Sequence, residues 1–160
     1  MSTLNRQNRQ RGTAAVEFMI AVPLLLMLLI GVSEFGRMLF QYNTLTKSTR
    51  DAARYLSANA RVGSTSAVVL DGTDISETQN LVVYGNTAGS GQELLPNLVP
   101  GNVSVSCFGG GTNCPGVDHV VVTAQYSYQP ILGDLLPTFG LSADIPVNIV
   151  LTTSSVMRAL

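Results

Sequence analysis

The longest apolar stretch of the chain lies close to its amino terminus. Residues 18–33 contain no charged side chain, and as a helix they would cover about 24 Å. Extending the stretch back to Thr13 gives about 31 Å, enough to cross the hydrocarbon core of a bilayer. The extension includes one acid, Glu17, in the first turn, where the helix dipole favours a negative charge. The pattern predicts a transmembrane helix over residues 13–33.

Apolar residues continue at helical spacing beyond this span. They recur every three or four positions, at Phe35, Met38, Leu39, Tyr42, Leu45, Thr49, Ala52, Ala53 and Leu56. Polar residues take the other face, at Arg37, Gln41, Thr44, Ser48 and Asp51. This spacing predicts an amphipathic helix over residues 34–62 that continues from the span without a break. Gly63 is the predicted stop, because glycine readily adopts the left-handed conformation that ends helices.

A shorter helix is predicted in the middle of the chain. Asp74 and Glu77 have the spacing of a capping box, and the apolar residues that follow share one helical face. The pattern predicts a helix over residues 75–84 that ends at Gly85. A strand over residues 81–84 is the alternative.

The last third of the chain has the pattern of strands. Apolar and polar residues alternate over residues 103–107, 119–128 and 145–152. Alternation with one polar face predicts an antiparallel sheet that is covered on its other face. The amphipathic half of the long helix is the obvious cover. We therefore expect an α+β fold, in which a long amino-terminal transmembrane and amphipathic helix packs on a small antiparallel sheet.

The charge distribution predicts how the chain crosses the membrane. Arg6, Arg9 and Arg11 precede the span, and no acid precedes Glu17. This excess of basic residues favours a cytoplasmic amino terminus, with residues 63–160 forming a periplasmic α+β domain. A secretory signal peptide is the rival interpretation, but no convincing cleavage site follows the apolar run. The net charge of −1 and the absence of a basic stripe beyond residue 12 argue against nucleic-acid binding.

The residues around Gly12 resemble a known processing signal. A basic segment, residues 1–12, ends in this glycine, and Glu17 is the fifth residue after it. The arrangement resembles the type III signal that prepilin peptidases cut after the glycine. It is more closely similar to TadE-like pseudopilins of the tight-adherence pilus system, on the evidence of Gly12, Ala14, Ala15, Val16, Glu17, Phe18 and Pro23. Thr13 differs from the Phe or Met usual in major pilins, which favours a pseudopilin over a major pilin.

The resemblance implies a pilin-like role in assembly. Cleavage between Gly12 and Thr13 would create a positively charged amino terminus, which Glu17 of a neighbouring subunit would meet as the helices leave the lipid. The chain would be a minor pilin or pseudopilin of a tight-adherence, type IV-like pilus. The membrane-proximal half of the amphipathic stripe would then face neighbouring subunits.

The same resemblance implies a set of partners and a location. The partners would be a prepilin peptidase, the major pilin, a companion pseudopilin, the inner-membrane assembly platform and membrane lipid. The chain would span the bacterial inner membrane once and could enter the extracellular pilus. The alternative is a membrane-anchored periplasmic binding or sensory module that is never cleaved at Gly12.

The two cysteines form the next candidate site. Cys107 and Cys114 flank a segment with three successive glycines, which allows the backbone to fold tightly. In the periplasm a disulfide is the expected state, and a loop this short predicts a stabilisation of about 2–3 kcal/mol. Metal binding by both cysteines and His119 is the rival hypothesis. It lacks a fourth ligand and the usual close cysteine spacing.

The sequence offers little for catalysis or cofactor binding. His119 is the only histidine and falls on the polar face of its predicted strand, whereas Asp118 would point to the opposite side. We therefore expect no enzyme activity, no metal and no cofactor. Residues 131–141 form an apolar loop that either covers the sheet or contacts partner pilins or the outer leaflet.

Overall fold

The computed structural model describes residues 4–61, 68–114, 116–131, 135–136, 143, 145–146 and 149–160. The elements in chain order are α1 (Leu4–Asn59), β1 (Val68–Val69), α2 (Gly72–Tyr84), a 3-10 turn (Pro100–Asn102), β2 (Val103–Cys107), β3 (Asn113–Cys114), β4 (His119–Ser127), β5 (Leu135–Leu136), β6 (Ile145–Pro146) and β7 (Val150–Arg158). Two compact units are present: Met1–Arg37 with Gln129–Asn148, and Met38–Tyr128 with Ile149–Leu160. The helix α1 contributes residues to both.

The long helix predicted from the apolar spacing is present as one element. It runs from Leu4 to Asn59 and contains Pro23, so the apolar span continues into the amphipathic segment as predicted. It also begins before Gly12, and the proposed end of the basic leader therefore does not coincide with a helix end. At the other end α1 stops three residues before the predicted residue 62. Gly63, the predicted stop, lies outside the described residues.

A three-stranded antiparallel sheet forms in the second unit. Its strand order is β2-β4-β7, with Cys107 opposite Val120 and His119 opposite Arg158. Alternate residues of the central strand β4 are buried: Val120, Val122, Ala124 and Tyr126. This alternation, together with the long helix, confirms the predicted α+β fold class.

The predicted strand over residues 145–152 is wrong in its position. Ile145–Pro146 forms the short strand β6, which pairs with β5. The strand beside β4 instead starts at Val150 and pairs along nine residues, as far as Arg158. Proline lacks the N–H that a ladder partner accepts, so Pro146 suits a two-residue ribbon better than a long sheet strand.

The predicted second helix is present, but its cap differs. The helix α2 starts at Gly72, and the carboxylate of Asp71 accepts a hydrogen bond of 2.7 Å from the backbone N–H of Asp74. Asp71 is therefore the capping residue, and the predicted capping box at Asp74 and Glu77 is wrong. The carboxyl-terminal end is as predicted, because Gly85 adopts the left-handed conformation with φ 73°.

The buried face of α1 is rotated relative to the predicted apolar stripe. Leu45, Thr49, Ala52, Ala53 and Leu56 are buried as predicted, but Gln41 and Ser48 are buried as well. Phe35, Leu39 and Tyr42 are exposed. Burial of Ser48 is possible because its hydroxyl donates to the carbonyl of Leu45 at 3.1 Å, which satisfies its polar group within the helix.

Candidate assembly site

The residues of the predicted cleavage site lie on an open stretch of α1. Gly12, Thr13 and Glu17 are all exposed helical residues. A Cβ atom added to Gly12 would meet no atom of the described residues within 4 Å outside its own stretch of helix. Packing among the described residues therefore does not require glycine at this position.

Helix geometry brings Thr13 and Glu17 onto the same face. They are four residues apart, which places their Cβ atoms about 5–6 Å from each other. Among the described residues no hydrogen bond or ion pair engages the Glu17 carboxylate. Its neighbours Val16 and Phe18 are more than half exposed. The acid thus stands on an apolar surface with its charge available to a cation.

The surface around this acid is suited to lipid. The helix α1 is the one helix of the described residues that is long and apolar enough to cross a membrane, judged by length and composition. None of the residues of its most apolar stretch is buried. Large side chains along it are exposed: Met19, Ile20, Leu24, Leu25, Leu28, Leu29 and Val32. A helix with this exposed apolar surface fits a membrane anchor.

A second acid, which no motif in the sequence marks, lies at the end of the apolar run. Glu34 is 7% exposed, and its Oε1 accepts a hydrogen bond of 2.9 Å from the backbone N–H of Ile131, 97 positions later. The sequence carried one signal of this burial. Glu34 lies seven and eleven residues before Gln41 and Leu45, which are both buried, and these spacings return to the same helical face.

The cysteine pair joins two sheets. Cys107 ends β2 and Cys114 ends β3, and a disulfide links them with a Cα–Cα distance of 5.8 Å. Both cysteines are 2% exposed. Gly109, Gly110 and Gly111 between them have φ of 99°, 97° and 84°, a conformation that glycine adopts without steric cost. The loop therefore depends on these glycines to bring the sulfurs together.

His119 and Asp118 do not form a catalytic pair. His119 is exposed at the start of β4, with its ring centroid 6.4 Å from that of Phe108. The Asp118 carboxylate instead pairs with two arginines: its Oδ2 lies 3.4 Å from Nη2 of Arg158, and its Oδ1 lies 4.0 Å from Nη2 of Arg61. In the described part of the chain, no group of three His, Cys, Asp or Glu residues could hold a metal ion. The disulfide argues against the rival hypothesis of a metal site at Cys107, Cys114 and His119, because the two sulfurs are bonded to each other.

The fold and the anchor together define a class of protein. A long apolar helix that continues into an α+β unit with a small antiparallel sheet is consistent with a bitopic, pilin-like protein. A family model described as TadE-like protein matches residues 12–54, so the resemblance seen in the sequence is confirmed for this segment. No curated protein and no solved structure matched the chain. The family match suggests a role related to the tight-adherence pilus and to its components.

Proposed function

We propose that this chain is a minor pilin or pseudopilin that assists assembly of a tight-adherence pilus, and that a prepilin peptidase cleaves it after Gly12. The observation that carries the proposal is the position of Glu17. The family match begins at Gly12, and five residues later a single acid stands on the exposed apolar surface of α1, with no partner among the described residues.

An acid at this position carries an energetic cost in lipid. A carboxylate at the bilayer centre costs about 2.5–3.5 kcal/mol on insertion scales, and less near the surface. Cleavage after Gly12 would supply a cation at Thr13, the new amino terminus. One chain could pair this ammonium with its own Glu17 while it remains in lipid, because the two residues lie one helical turn apart. During assembly the ammonium of one subunit would instead pair with Glu17 of a neighbour. This pairing would fix the register of the two helices as they leave the membrane.

The remaining parts of the assignment follow from charge and length. Residues 1–12 would be the cytoplasmic leader, residues 13–33 the membrane span, residues 34–62 the amphipathic continuation, and residues 63–160 the periplasmic domain. In this arrangement the disulfide lies in an oxidising compartment, where it persists. The partners are the peptidase, the major pilin, a companion pseudopilin and the inner-membrane assembly platform. The role is one of assembly and requires no enzyme activity.

One observation favours the alternative, an uncleaved binding or sensory module. In the second unit a cavity of ≈ 340 Å³ is lined by residues of α1, by α2 and by the chain that follows α2: Thr44, Lys47, Ser48, Asp51, Leu81, Gly85 and Leu94. This volume lies at the low end of the range for small-molecule sites. Its lining combines apolar side chains with one cation and one anion, as a site for a small zwitterion would.

A deletion experiment separates the two functions. Cells lacking the chain would be compared with cells carrying the wild-type chain or the Lys47→Ala/Asp51→Ala variant, and sheared surface pili would be counted. The assembly function predicts few pili in the deletion strain, and full recovery with both the wild type and the variant. Normal pilus numbers in the deletion strain would overturn the proposal. Recovery by the wild type alone would favour the cavity as the functional site.

A further inference from the structure

A segment late in the chain contacts the part of α1 that directly follows the predicted span. The backbone N–H of Ile131 donates a hydrogen bond of 2.9 Å to Oε1 of Glu34. Glu34 is 7% exposed, whereas the side chain of Ile131 is 69% exposed. The contact lies within the first compact unit, which contains both segments. A buried acid therefore holds a turn of the chain whose large apolar side chain remains uncovered.

The position of this turn along the helix is the second observation. A cavity of ≈ 250 Å³ lies beside Ile131 and is lined by Leu29, Ile30, Ser33 and Glu34. Leu29, Ile30 and Ser33 belong to the last two turns of the predicted span, residues 13–33, and Leu29 is 65% exposed. Ile131 thus sits at the same level along α1 as residues that the anchor places in lipid. Its exposed side chain extends the lipid-facing surface of the helix.

We propose that Ile131 is a second membrane contact, which inserts into the leaflet that surrounds the end of the span, and that Glu34 is the positioning residue that holds it there. The inference rests on the anchor role of α1 in the proposed function. The occupant of the cavity is a lipid acyl chain, because the surface that borders it on the helix side is the lipid-facing surface itself. The contact would fix the first unit at a defined depth in the bilayer.

The role of Glu34 follows from its chemistry. A carboxylate that accepts a backbone N–H makes a charge-assisted hydrogen bond, which is shorter and stronger than a neutral one. Glu34→Gln keeps an acceptor oxygen at the same reach, whereas Glu34→Ala leaves the N–H of Ile131 without this acceptor. The two variants therefore separate loss of the hydrogen bond from loss of the charge.

The test measures the surroundings of residue 131 in a bilayer. The full chain with Ile131→Cys would be labelled with a thiol-reactive fluorophore under non-reducing conditions, so that the Cys107–Cys114 disulfide stays closed, and placed in phospholipid vesicles at one chain per many lipids. A nitroxide on the lipid near the headgroup would report lipid contact, and aqueous iodide would report water. The matched control is Val99→Cys, an apolar residue of the second unit that is 50% exposed.

The expected result is several-fold stronger quenching by the lipid nitroxide at residue 131 than at residue 99, with the reverse order for iodide. Glu34→Ala should move the residue-131 probe toward the iodide-sensitive pattern, and Glu34→Gln should largely preserve the wild-type pattern. Iodide access at residue 131 equal to that at residue 99 would overturn the inference. Protection from both quenchers would also overturn it, in favour of a protein contact.

A parallel extraction distinguishes this inference from the proposed function. Chains retained in vesicles after alkaline carbonate treatment have a working anchor, and a water-exposed probe in such chains defeats only the role given to Ile131 and Glu34. Chains released by carbonate have no anchor, and the proposed function then fails together with the inference.

Discussion

The hydroxyl of Tyr55 on α1 donates a hydrogen bond to Oε2 of Glu77 on α2, 22 residues away. This contact ties the short helix to the long one inside the second unit. The hydrogen bond to Glu77 is the largest cause that raises the pKa of Tyr55 from 10.0 to about 12, and desolvation and the negative charges of Glu77 and Asp74 add to it. The pair therefore gives the packing of α2 a signature that can be followed in solution.

The first prediction concerns this titration. Tyr55 should remain neutral at pH 10 and ionise near pH 12, and Glu77→Gln should bring its pKa back toward 10.0. The pKa of Tyr55 is higher in the folded state than its ordinary value. The hydrogen bond to Glu77 therefore contributes stability that is complete below pH 10 and is lost as the pH rises through 12. The measurement is phenolate absorbance, with the Tyr55→Phe variant subtracted to isolate this one tyrosine. An unchanged Tyr55 titration in Glu77→Gln would contradict the account.

The second prediction compares two leucines of the same helix. Leu45 is fully buried, whereas Leu39 is 44% exposed. Leu45→Ala should lower the free energy of unfolding of the second unit by about 2–5 kcal/mol, because it removes buried methyl groups and leaves a cavity. Leu39→Ala should change it by about 0.5 kcal/mol or less. Urea denaturation of the detergent-solubilised full chain measures both.

The leucine pair also tests which face of α1 packs against the rest of the same chain. A large loss of stability in Leu39→Ala would show that the membrane-proximal face is part of the core. With stability unchanged, a loss of pili caused by Leu39→Ala would support a contact of this face with another subunit.

The third prediction concerns the disulfide loop. Replacing Cys107 and Cys114 by Ser should destabilise the second unit by about 2–3 kcal/mol, because the closed loop restricts the unfolded chain. Gly110→Ala, with the disulfide intact, should destabilise by about 1–3 kcal/mol, because alanine at φ 97° is strained. Gly101→Ala is the matched control, since a Cβ there meets no atom of the described residues within 4 Å beyond its chain neighbours, and its φ is not in the positive range. Equal denaturation midpoints for wild type and the double serine variant would contradict the role given to the disulfide.

The fourth prediction concerns Glu17 in assembly. Glu17→Ala should be processed as the wild type is and should reach the membrane, but should fail to restore pili to a deletion strain, because the new amino terminus of a neighbour has lost its anionic partner. Glu17→Asp should restore them at least in part. Glu93→Ala, which removes an exposed acid of the second unit, is the control for loss of charge alone. Normal piliation with Glu17→Ala would show that this pairing does not guide assembly.

The elements set by local signals were predictable from sequence, and those set by distant pairings were not. The run of apolar residues in α1, the alternation in β2 and β4, and the glycine that ends α2 each act within a few residues, and each was predicted. The position of β7 depends on which nine residues pair best with β4. Residues 145–146 suit this long ladder poorly, because Pro146 has no backbone N–H to donate. The burial of Gln41 could not be predicted from an amide side chain alone.

The candidate site divides in the same way. Gly12 and Glu17 could be proposed from sequence because their spacing is a local motif, and their roles stay predictions. The cysteine pair could be predicted because the six residues between the two cysteines include three successive glycines. Glu34 was missed because its partner is a backbone N–H 97 positions away. A backbone donor leaves no mark in residue type, so no pattern of side chains near Ile131 could have revealed it.

Cleavage after Gly12 is the step on which the proposed function depends, and the mass of the amino terminus tests it most directly. In cells with an active prepilin peptidase, membrane-extracted wild-type chain should begin at Thr13, whereas Gly12→Ala should keep all residues of the leader. Gly31→Ala is the matched control and should be cleaved normally, because a Cβ at either glycine meets no atom of the described residues within 4 Å outside its own stretch of helix. A wild-type chain that retains Arg6, Arg9 and Arg11 in those cells would contradict the account.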